Sequence, residues 1–218
     1  MSVIIIGASG FGREAAWTAR RAGLELAGFC DDSPENGAEA ARKCGVPFLG
    51  AIAAAAAAHP SAEFFVAIGA NRVRQVVTAQ AIAAGWTPRT VADPTAVVAP
   101  DAVVGPGCFL GAYAVVSCGS RLGAGVLVNH QATVGHDAQA ADFCQLCPGA
   151  RLSGGCVLEE GALLGSNAAV TPLRRVGAWA VVAAGAAAFA DVPAGQTLVR
   201  LSHRERPAAP GTGREASP

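Results

Sequence analysis

The sequence predicts a small Rossmann-like α/β domain followed by a parallel β-helix of hexapeptide repeats. Every sixth residue from Val98 to Val182 is aliphatic, and the residue four places after each is nearly always small. The first ninety residues instead alternate short apolar runs with helical stretches. A period of six fits neither an α-helix nor a hairpin meander. It is typical of a β-helix in which aliphatic residues fill the interior and small residues fit the bends.

The N-terminal part predicts strands separated by helices, which is the pattern of a parallel sheet. The expected strands are residues 2–6, 24–29 and 63–68, and the expected helices are residues 14–22, 38–43, 51–58 and 72–84. Pro88 and Pro94 then predict an extended entry into the repeats. At eighteen residues per three-sided coil, the repeats predict about five coils. The expected domains are residues 1–90 and 91–200, with a disordered tail at 201–218 that shows no period.

A glycine-rich turn from Gly7 to Gly12 joins the first strand to the first helix. Such a turn lets backbone amides approach phosphates, and the helix N-terminus favours their negative charge. Asp31 and Asp32 follow about twenty residues later, at a strand end where carboxylates accept hydrogen bonds from ribose or a base. A purely structural tight turn is the alternative. A redox dehydrogenase is disfavoured, because about ninety residues are short for a full dinucleotide fold and no separate catalytic domain follows.

Charge and cysteine content limit the possible partners and the compartment. Lys plus Arg and Asp plus Glu both number 16, so no electrostatic footprint for nucleic acid or an anionic membrane is present. The apolar run at 3–6 has no basic flank and predicts a strand rather than a signal peptide. The seven cysteines lack disulfide-like spacing, which favours a cytoplasmic location. Cys108, Cys144 and Cys156 occupy small interior positions, where packing is expected.

Two histidines fall in turns of the repeat region. His130 and His136 each lie two places after an aliphatic position, which places them at neighbouring corners. Residues eighteen apart stack, so His136 lies between Cys118 and Gly154. A glycine there leaves room for the imidazole and exposes a backbone N–H, and acyl transfer needs such a base and such an oxyanion donor. Asp137 can orient the ring. An idle surface histidine is the alternative, and His130 is the second candidate base.

Several motifs together resemble one enzyme family. They are residues 5–14 (IIGASGFGRE), the pair at 31–32, and residues 67–74 (AIGANRVR), 134–137 (VGHD), 148–154 (PGARLSG) and 164–170 (LGSNAAV). The chain resembles the sugar O- and N-acyltransferases of the left-handed β-helix superfamily. The most similar subgroup carries an N-terminal nucleotide-sugar domain. It includes the UDP-4-amino-sugar acetyltransferases of the PglD type and the NeuD-like sialic acid O-acetyltransferases.

The resemblance implies a homotrimer with each active site between two β-helices, acetyl-CoA lying along that cleft, and no metal. The implied catalytic residues are His136, Asp137 (Glu in the 4-amino-sugar enzymes) and the amide of Gly154. The implied nucleotide-sugar residues are Ser9, Gly10, Phe11, Gly12, Asp31, Asp32, Gly69, Asn71 and Arg74. The implied acyl-CoA residues are Gln145, Gly154, Ala184 and Gly185. The chain departs from the family at Gln145, where a second histidine is usual, and in lacking the Gly-x-Pro-Ala-Arg ending.

The implied function is transfer of an acyl group, expected to be acetyl, from acyl-CoA to an amino or hydroxyl group of a nucleotide-linked sugar. N-acetylation of a UDP-4-amino sugar is the first interpretation. O-acetylation of sialic acid or another sugar is the alternative, and a non-catalytic nucleotide-sugar-binding scaffold is a more distant one. A γ-type carbonic anhydrase uses the same scaffold but needs three histidines on zinc, and the repeats contain only two.

Overall fold

The computed structural model describes residues 2–199. The tail expected at 201–218 therefore lies outside the described residues. Residues 2–199 form an α/β unit followed by a parallel β-solenoid, which confirms the predicted fold class.

The α/β unit is built on a four-stranded parallel sheet flanked by helices. Its strands are β1 (Ser2–Ile6), β2 (Glu25–Cys30), β3 (Glu63–Val66) and β4 (Thr87–Pro88), in the order β2-β1-β3-β4. Its helices are α1 (Gly10–Arg21), α2 (Pro34–Cys44), α3 (Ile52–Ala58) and α4 (Asn71–Ala83). Residues 3–6 of the central strand β1 are all buried, as a continuous apolar run in a sheet covered on both faces requires.

The helix α1 begins at Gly10, four residues before the predicted start at residue 14. The glycine-rich turn ends at Ser9, whose carbonyl accepts a hydrogen bond from the Arg13 N–H at 3.2 Å. Gly12 then lies inside the helix rather than in the turn. A Cβ at this position would collide with the carbonyl of Gly7, so the glycine permits close packing of α1 on β1.

The helix α2 also begins earlier than predicted, at Pro34 rather than at residue 38. Ser33 caps it by accepting a hydrogen bond from the Asn36 N–H, and proline is favoured in the first turn because its missing N–H is not needed there. Gly45 ends the helix in the left-handed conformation, φ 62°.

The solenoid consists of two-residue strands in three parallel sheets of five, seven and six strands. They are β5 (Val91–Ala92), β6 (Val97–Val98), β7 (Val103–Val104), β8 (Phe109–Leu110), β9 (Val115–Val116), β10 (Arg121–Leu122), β11 (Leu127–Val128), β12 (Thr133–Val134), β13 (Gln139–Ala140), β14 (Gln145–Leu146), β15 (Arg151–Leu152), β16 (Val157–Leu158), β17 (Leu163–Leu164), β18 (Ala169–Val170), β19 (Arg175–Val176), β20 (Val181–Val182), β21 (Ala187–Ala188) and β22 (Thr197–Leu198). From Leu110 to Val182, the residues at the six-residue spacing form one buried interior cluster, whereas Val98 at the start of the series is 39% exposed. Cys108, Cys144 and Cys156 lie in it, which confirms their expected packing.

The solenoid has about six coils rather than the expected five. The difference arises because β5 and β22 extend the ladders beyond both ends of the strict six-residue period. The last coil is also two residues short. Val181 pairs with Thr197, sixteen residues later, whereas Leu163 pairs with Val181, eighteen residues later.

Three rows of turns run along the solenoid, one at each corner of the coils. The His130 corner joins the seven-stranded to the six-stranded sheet and includes residues 93–96, 111–114, 129–132, 147–150, 165–168 and 183–186. The His136 corner joins the six-stranded to the five-stranded sheet and includes residues 99–102, 117–120, 135–138, 153–156 and 171–174. The α4 corner joins the five-stranded to the seven-stranded sheet and includes residues 105–108, 123–126, 141–144, 159–162 and 177–180. In a three-sided coil, the His136 corner is opposite the outer face of the seven-stranded sheet.

The α/β unit covers that outer face. Phe109 and Leu127 project outward from the seven-stranded sheet and share a buried cluster with residues of α1 and β1. Phe11 of α1 packs edge-on against Phe109, with ring centroids 5.2 Å apart. Arg21 also pairs with the carboxylate of Asp93, which is completely buried, at 2.8 Å. The two parts of the chain therefore share one apolar core, flanked by a charged contact.

Arg74 fastens the start of α4 to the α4 corner. Only 1% of its surface is exposed. Its guanidinium donates, at 2.8 to 3.5 Å, to the carbonyls of Ile68, Gly69, Gly125, Phe143 and Cys144. Burial lowers the pKa of Arg74 to about 10, which still leaves it charged at neutral pH. Asn71 adds a hydrogen bond from its Nδ2 to the carbonyl of Gly161 at 3.0 Å.

Candidate active site

His136 and Asp137 form a hydrogen-bonded pair at the His136 corner. Nδ1 of the ring is 2.9 Å from Oδ2 of the carboxylate, and the two side chains are 67% and 73% exposed. These adjacent residues reach one another because Asp137 has a left-handed backbone, φ 58°. An ionised carboxylate can only accept, so Nδ1 of the neutral ring carries the proton and donates it to Asp137. Nε2 therefore keeps a free lone pair.

Two glycines, one coil above and one coil below, make room for this pair. A Cβ on Gly154 would lie 2.6 Å from Cε1 of His136, so only glycine lets the ring lie over that peptide. A Cβ on Gly119 would lie 2.5 Å from Oδ1 of Asp137. The eighteen-residue step predicts Gly154. Gly119 escapes the motif-based prediction, although the same step counted back from Asp137 leads to it.

The Gly154 N–H is a free donor beside the imidazole. Within residues 2–199 it has no hydrogen-bond acceptor, whereas the Gly154 carbonyl accepts the Leu173 N–H at 3.1 Å. The Gly155 N–H donates to the carbonyl of His136 at 2.8 Å and so fixes the two coils relative to one another. The corner thus presents a basic nitrogen and an unpaired N–H on the same exposed surface. This combination can activate a nucleophile and stabilise an oxyanion.

His130 is held differently, and its geometry does not support the role of second candidate base. Its Nδ1 accepts the Ala112 N–H at 2.9 Å, and its Nε2 contacts the carboxylate of Glu14 in α1. Because Nδ1 accepts, Nε2 carries the proton and donates it to Glu14. The ring also packs edge-on against Phe109, with centroids 6.1 Å apart. Both nitrogens are engaged, so His130 joins the two parts of the chain and has no free lone pair.

A cleft of about 530 Å³ opens at the carboxyl ends of β1, β2 and β3. Ile52 of α3 and Val73 and Val77 of α4 contribute apolar walls, and Asp31 and Asp32 contribute carboxylates. Parallel α/β sheets bind ligands at this edge. An apolar slot with a few polar groups suits a planar ring attached to a polar body.

Two of the nine predicted nucleotide-sugar residues, Asp31 and Asp32, line this cleft. Asp31 accepts the N–H groups of Ala8 at 2.7 Å and Ser33 at 2.8 Å, so its carboxylate also holds the glycine-rich turn against β2. Asp32 is exposed and has no hydrogen bond within residues 2–199. Ser9 and Gly10 also lie exposed, where α1 begins.

The other five predicted nucleotide-sugar residues have packing positions in this structure. Phe11 lies in the core between α1 and the solenoid, and Gly12 packs on β1. Asn71 and Arg74 bind the α4 corner, and Gly69 supplies a carbonyl to the Arg74 guanidinium. The motifs therefore locate the turns that surround the cleft. They do not encode which way each side chain points.

Of the predicted acyl-CoA residues, only Gly154 lies beside His136 in one chain. Gln145 faces outward from the seven-stranded sheet and is 9% exposed; its Nε2 is 3.5 Å from Sγ of Cys147. The Oε1 of Gln145 has no partner within the described residues. Ala184 and Gly185 are exposed at the His130 corner.

The cleft and the imidazole of one chain are on different sides of the solenoid. All residues that line the cleft belong to the α/β unit, and that unit covers the outer face of the seven-stranded sheet. The His136 corner is opposite this face. Within one chain, the residues that line the cleft and those of the His136 corner therefore form separate surfaces.

Residues 2–199 contain no group of three His, Cys, Asp or Glu side chains placed to hold a metal ion. His130 and His136 lie at different corners, as the sequence spacing predicts. Among the described helices, none has the length and apolar character needed to cross a bilayer.

Comparison with known proteins identifies the family. Residues 2–81 match the model of the PglD N-terminal domain. PerB from Caulobacter crescentus, crystallised with CoA and GDP-perosamine, is 30% identical, with a TM-score of 0.85 over 92% of this chain and 94% of its own. The acetyltransferase domain of PglB from Neisseria gonorrhoeae, crystallised with acetyl coenzyme A, is 32% identical, with a TM-score of 0.81 over 91% and 96%. The chain belongs to the PglD/NeuD-type hexapeptide-repeat acyltransferases.

WeeI from Acinetobacter baumannii has the same fold at 24% identity, with a TM-score of 0.79 over 92% of this chain and 97% of its own. The sequence has no match among curated proteins. The similarity to PerB and to the PglB domain extends over both parts of the chain, the α/β unit and the solenoid.

Proposed function

We propose that this chain is a homotrimeric acyltransferase that moves an acetyl group from acetyl-CoA to the amino group of a nucleotide-linked sugar. The observation that carries the proposal is the His136–Asp137 pair lying over Gly154 with a free N–H beside it. The Caulobacter relative supports the acceptor, since it is a perosamine N-acetyltransferase crystallised with CoA and GDP-perosamine. Structures of that relative were also solved with a histidine replaced by asparagine or by alanine.

The reaction follows from the free groups at the corner. The amine nitrogen of the sugar attacks the thioester carbonyl carbon and forms a C–N bond, while Nε2 of His136 accepts a proton from that amine. The negative charge on the carbonyl oxygen is stabilised by the Gly154 N–H, and the imidazolium by Asp137. The C–S bond then breaks, and the imidazolium returns its proton to the departing CoA thiolate. The products are the N-acetyl sugar and CoA.

The separation of the cleft from the His136 corner supports a site shared between protomers. Residues 1–90 of one protomer hold the nucleotide in the cleft of about 530 Å³. The sugar then extends to the His136 corner of a neighbouring protomer, in residues 91–200. Gln145 is 91% buried and has an unpartnered oxygen, so we retain it as a contact for one of the two substrates.

The test measures thiol release from acetyl-CoA with a panel of UDP-, GDP-, dTDP- and CMP-linked sugars carrying either free amino or only hydroxyl groups. We expect turnover with an amino sugar. His136→Ala should lose at least about 10²-fold in kcat. His130→Asn is the matched control, and it should lose stability rather than that factor in rate. Turnover with hydroxyl sugars alone would favour O-acylation, and no turnover with any sugar would favour a binding scaffold.

A further inference from the structure

The last coil crosses the His136 corner with a shortened turn. The strand β21 pairs with β18 at the eighteen-residue step, whereas Val192 bridges to Val176, only sixteen residues earlier. The two missing residues of the last coil therefore fall at this corner, where residues 189–190 replace the four-residue turn 171–174 of the coil below. Two residues cannot repeat that turn, so its upper side is left open.

Two apolar side chains and one arginine are exposed at this open end of the corner. Leu173 and Phe189 are 78% and 74% exposed, more than any other large hydrophobic side chain in residues 2–199. In the three coils below, the fourth turn position is held by small, fully buried residues, namely Ser120, Ala138 and Cys156. Arg174 holds that position here and is exposed. It has no ion-pair partner within residues 2–199, whereas the adjacent Arg175 pairs with Glu159 at 2.7 Å.

The coils at and below the imidazole carry the opposite charge at the same corner. Asp137 lies beside His136, and Asp101, two coils below Asp137, accepts the Gly119 N–H at 3.1 Å. Both carboxylates are exposed, and neither pairs with a Lys or Arg in the described part of the chain. A donor that carries phosphates is therefore attracted upward along the corner, toward Arg174 and away from these carboxylates.

We propose that Leu173, Arg174 and Phe189 bind the CoA part of the acyl donor. The pantetheine arm lies along the leucine and the phenylalanine, and the arginine pairs with a phosphate at the far end of the arm. The proposal rests on the proposed function, which places the thioester carbonyl at the Gly154 N–H.

The dimensions of the solenoid fit an arm that runs in this direction. The Leu173 N–H donates to the carbonyl of Gly154 at 3.1 Å, so the arm meets the leucine directly above the thioester. Phe189 lies two coils above Gly154, which is roughly 10 Å at the usual strand spacing. An extended pantetheine arm is longer than this, and its methylene and methyl groups suit an apolar surface. Ala184 and Gly185, which the sequence predicts as acyl-CoA residues, lie in the same coil as Phe189.

The experiment uses three acetyl donors with one amino-sugar acceptor. They are acetyl-CoA, acetyl-pantetheine, which lacks the phosphates, and S-acetyl-N-acetylcysteamine, which also lacks the outer half of the arm. Phe189→Ser should lower kcat/KM by about 10-fold for acetyl-CoA and acetyl-pantetheine but not for the shortest donor, which does not reach the phenylalanine. Arg174→Gln should lower kcat/KM by about 5-fold or more for acetyl-CoA alone, since only this donor carries phosphates.

Each variant has a matched control. Arg175→Gln removes the same charge one residue further along, but Arg175 is engaged by Glu159, so this variant should leave the donor preference unchanged. Tyr113→Ser removes an aromatic ring that is 64% exposed. Tyr113 lies at the His130 corner, one coil below His130, so its loss should also leave the donor preference unchanged.

Calorimetric titration with CoA supplies a readout that does not depend on turnover. Phe189→Ser and Arg174→Gln should bind CoA more weakly than the wild type by the same factors. Unchanged affinity and donor preference overturn the proposal. A loss that persists with the shortest donor, or that accompanies dissociation of the oligomer, assigns these residues to the fold or to a subunit contact and overturns it as well. If the wild type binds CoA but transfers no acyl group to any sugar, the proposed function fails, and the titration still decides the role of both residues.

Discussion

Replacing Gly154 with alanine tests whether the position of the imidazole, and not merely its presence, carries the chemistry. The new methyl group would lie 2.6 Å from Cε1 of His136, so the ring must leave its place over this peptide. Gly154 is not in the left-handed region, so alanine is compatible with the backbone and keeps the N–H. The ring is two-thirds exposed and can rotate into solvent, so stability should change by about 0.5 kcal/mol or less.

The expected loss is that of a displaced general base. Such a base contributes about 10²–10⁴-fold, so kcat should fall by at least about 10², which corresponds to roughly 2.7 kcal/mol of transition-state stabilisation. Thiol release gives kcat and the KM for acetyl-CoA, and a thermal melt checks the fold. Ser153→Ala is the neighbouring control. The backbone N–H of residue 153 still donates to the Val170 carbonyl in this variant, and no contact of the imidazole changes. The rate of Ser153→Ala should therefore match that of the wild type.

A double variant separates displacement from other effects. If Gly154→Ala acts only by moving the ring, then adding it to His136→Ala should cost no further rate, because the two changes remove the same function. A Gly154→Ala protein with wild-type kcat would refute the reasoning, since the imidazole could then work from another position. A large further loss in the double variant would instead assign Gly154 a role beyond clearance.

Two further predictions concern the junction between the two parts of the chain. Arg74→Met leaves carbonyls at the α4 corner without a hydrogen-bond donor, so it should lower the free energy of unfolding by about 3 kcal/mol in urea titrations. Unchanged stability together with weakened nucleotide-sugar binding would instead show that Arg74 contacts the substrate. Burial pushes the pKa of Asp93 upward, but hydrogen bonds from Thr95 and Arg21 outweigh it and hold that pKa below its usual value near 3.9. Asp93→Asn should therefore cost about 1–3 kcal/mol at pH 7. The deficit relative to the wild type should shrink as pH falls below about 4, where this carboxylate is protonated in the unfolded chain, and it should close once pH passes below the lowered pKa of the folded protein. A deficit that is constant from pH 7 to pH 3 would contradict the assignment.

The solenoid could be predicted from the sequence because its signal is one-dimensional. Interior residues recur every six positions regardless of what lies outside, so Leu110 and Val182 follow the same rule despite their separation. The ends of the solenoid could not be predicted, because the last coil is two residues short and therefore breaks the period that defines the rest. The start of α1 differs from the prediction because glycine normally weakens a helix, and Gly10 and Gly12 lie in its first turn. Gly12 is required there, since a Cβ would collide with the carbonyl of Gly7 at the end of β1.

The cleft residues were harder to predict, because a motif fixes backbone position and not side-chain direction. Phe11 and Arg74 lie within the family motifs and beside the turns that form the cleft, yet both point toward the solenoid. That direction depends on Phe109, Gly125 and Phe143, which are far away in sequence. Only the folded chain shows that these motif residues serve the junction, whereas Asp31 and Asp32 face the cleft.

One geometric feature recurs at the junction and at the candidate active site. Residues 2–199 have seven non-glycine residues in the left-handed conformation, and in five of them the side chain lies over a glycine eighteen places earlier, whereas Tyr113 and Gln131 follow Thr95 and Tyr113 at that spacing. The pairs are Asp137 over Gly119, Phe143 over Gly125, Asn167 over Gly149, Leu173 over Gly155 and Trp179 over Gly161. At the α4 corner these side chains meet α4 and fasten the α/β unit, whereas at the His136 corner they meet solvent. The same type of turn is therefore a structural contact where α4 covers it and lies open at the candidate active site. Reading glycines in steps of eighteen then identifies candidate sites that a linear motif misses, as it does for Gly119.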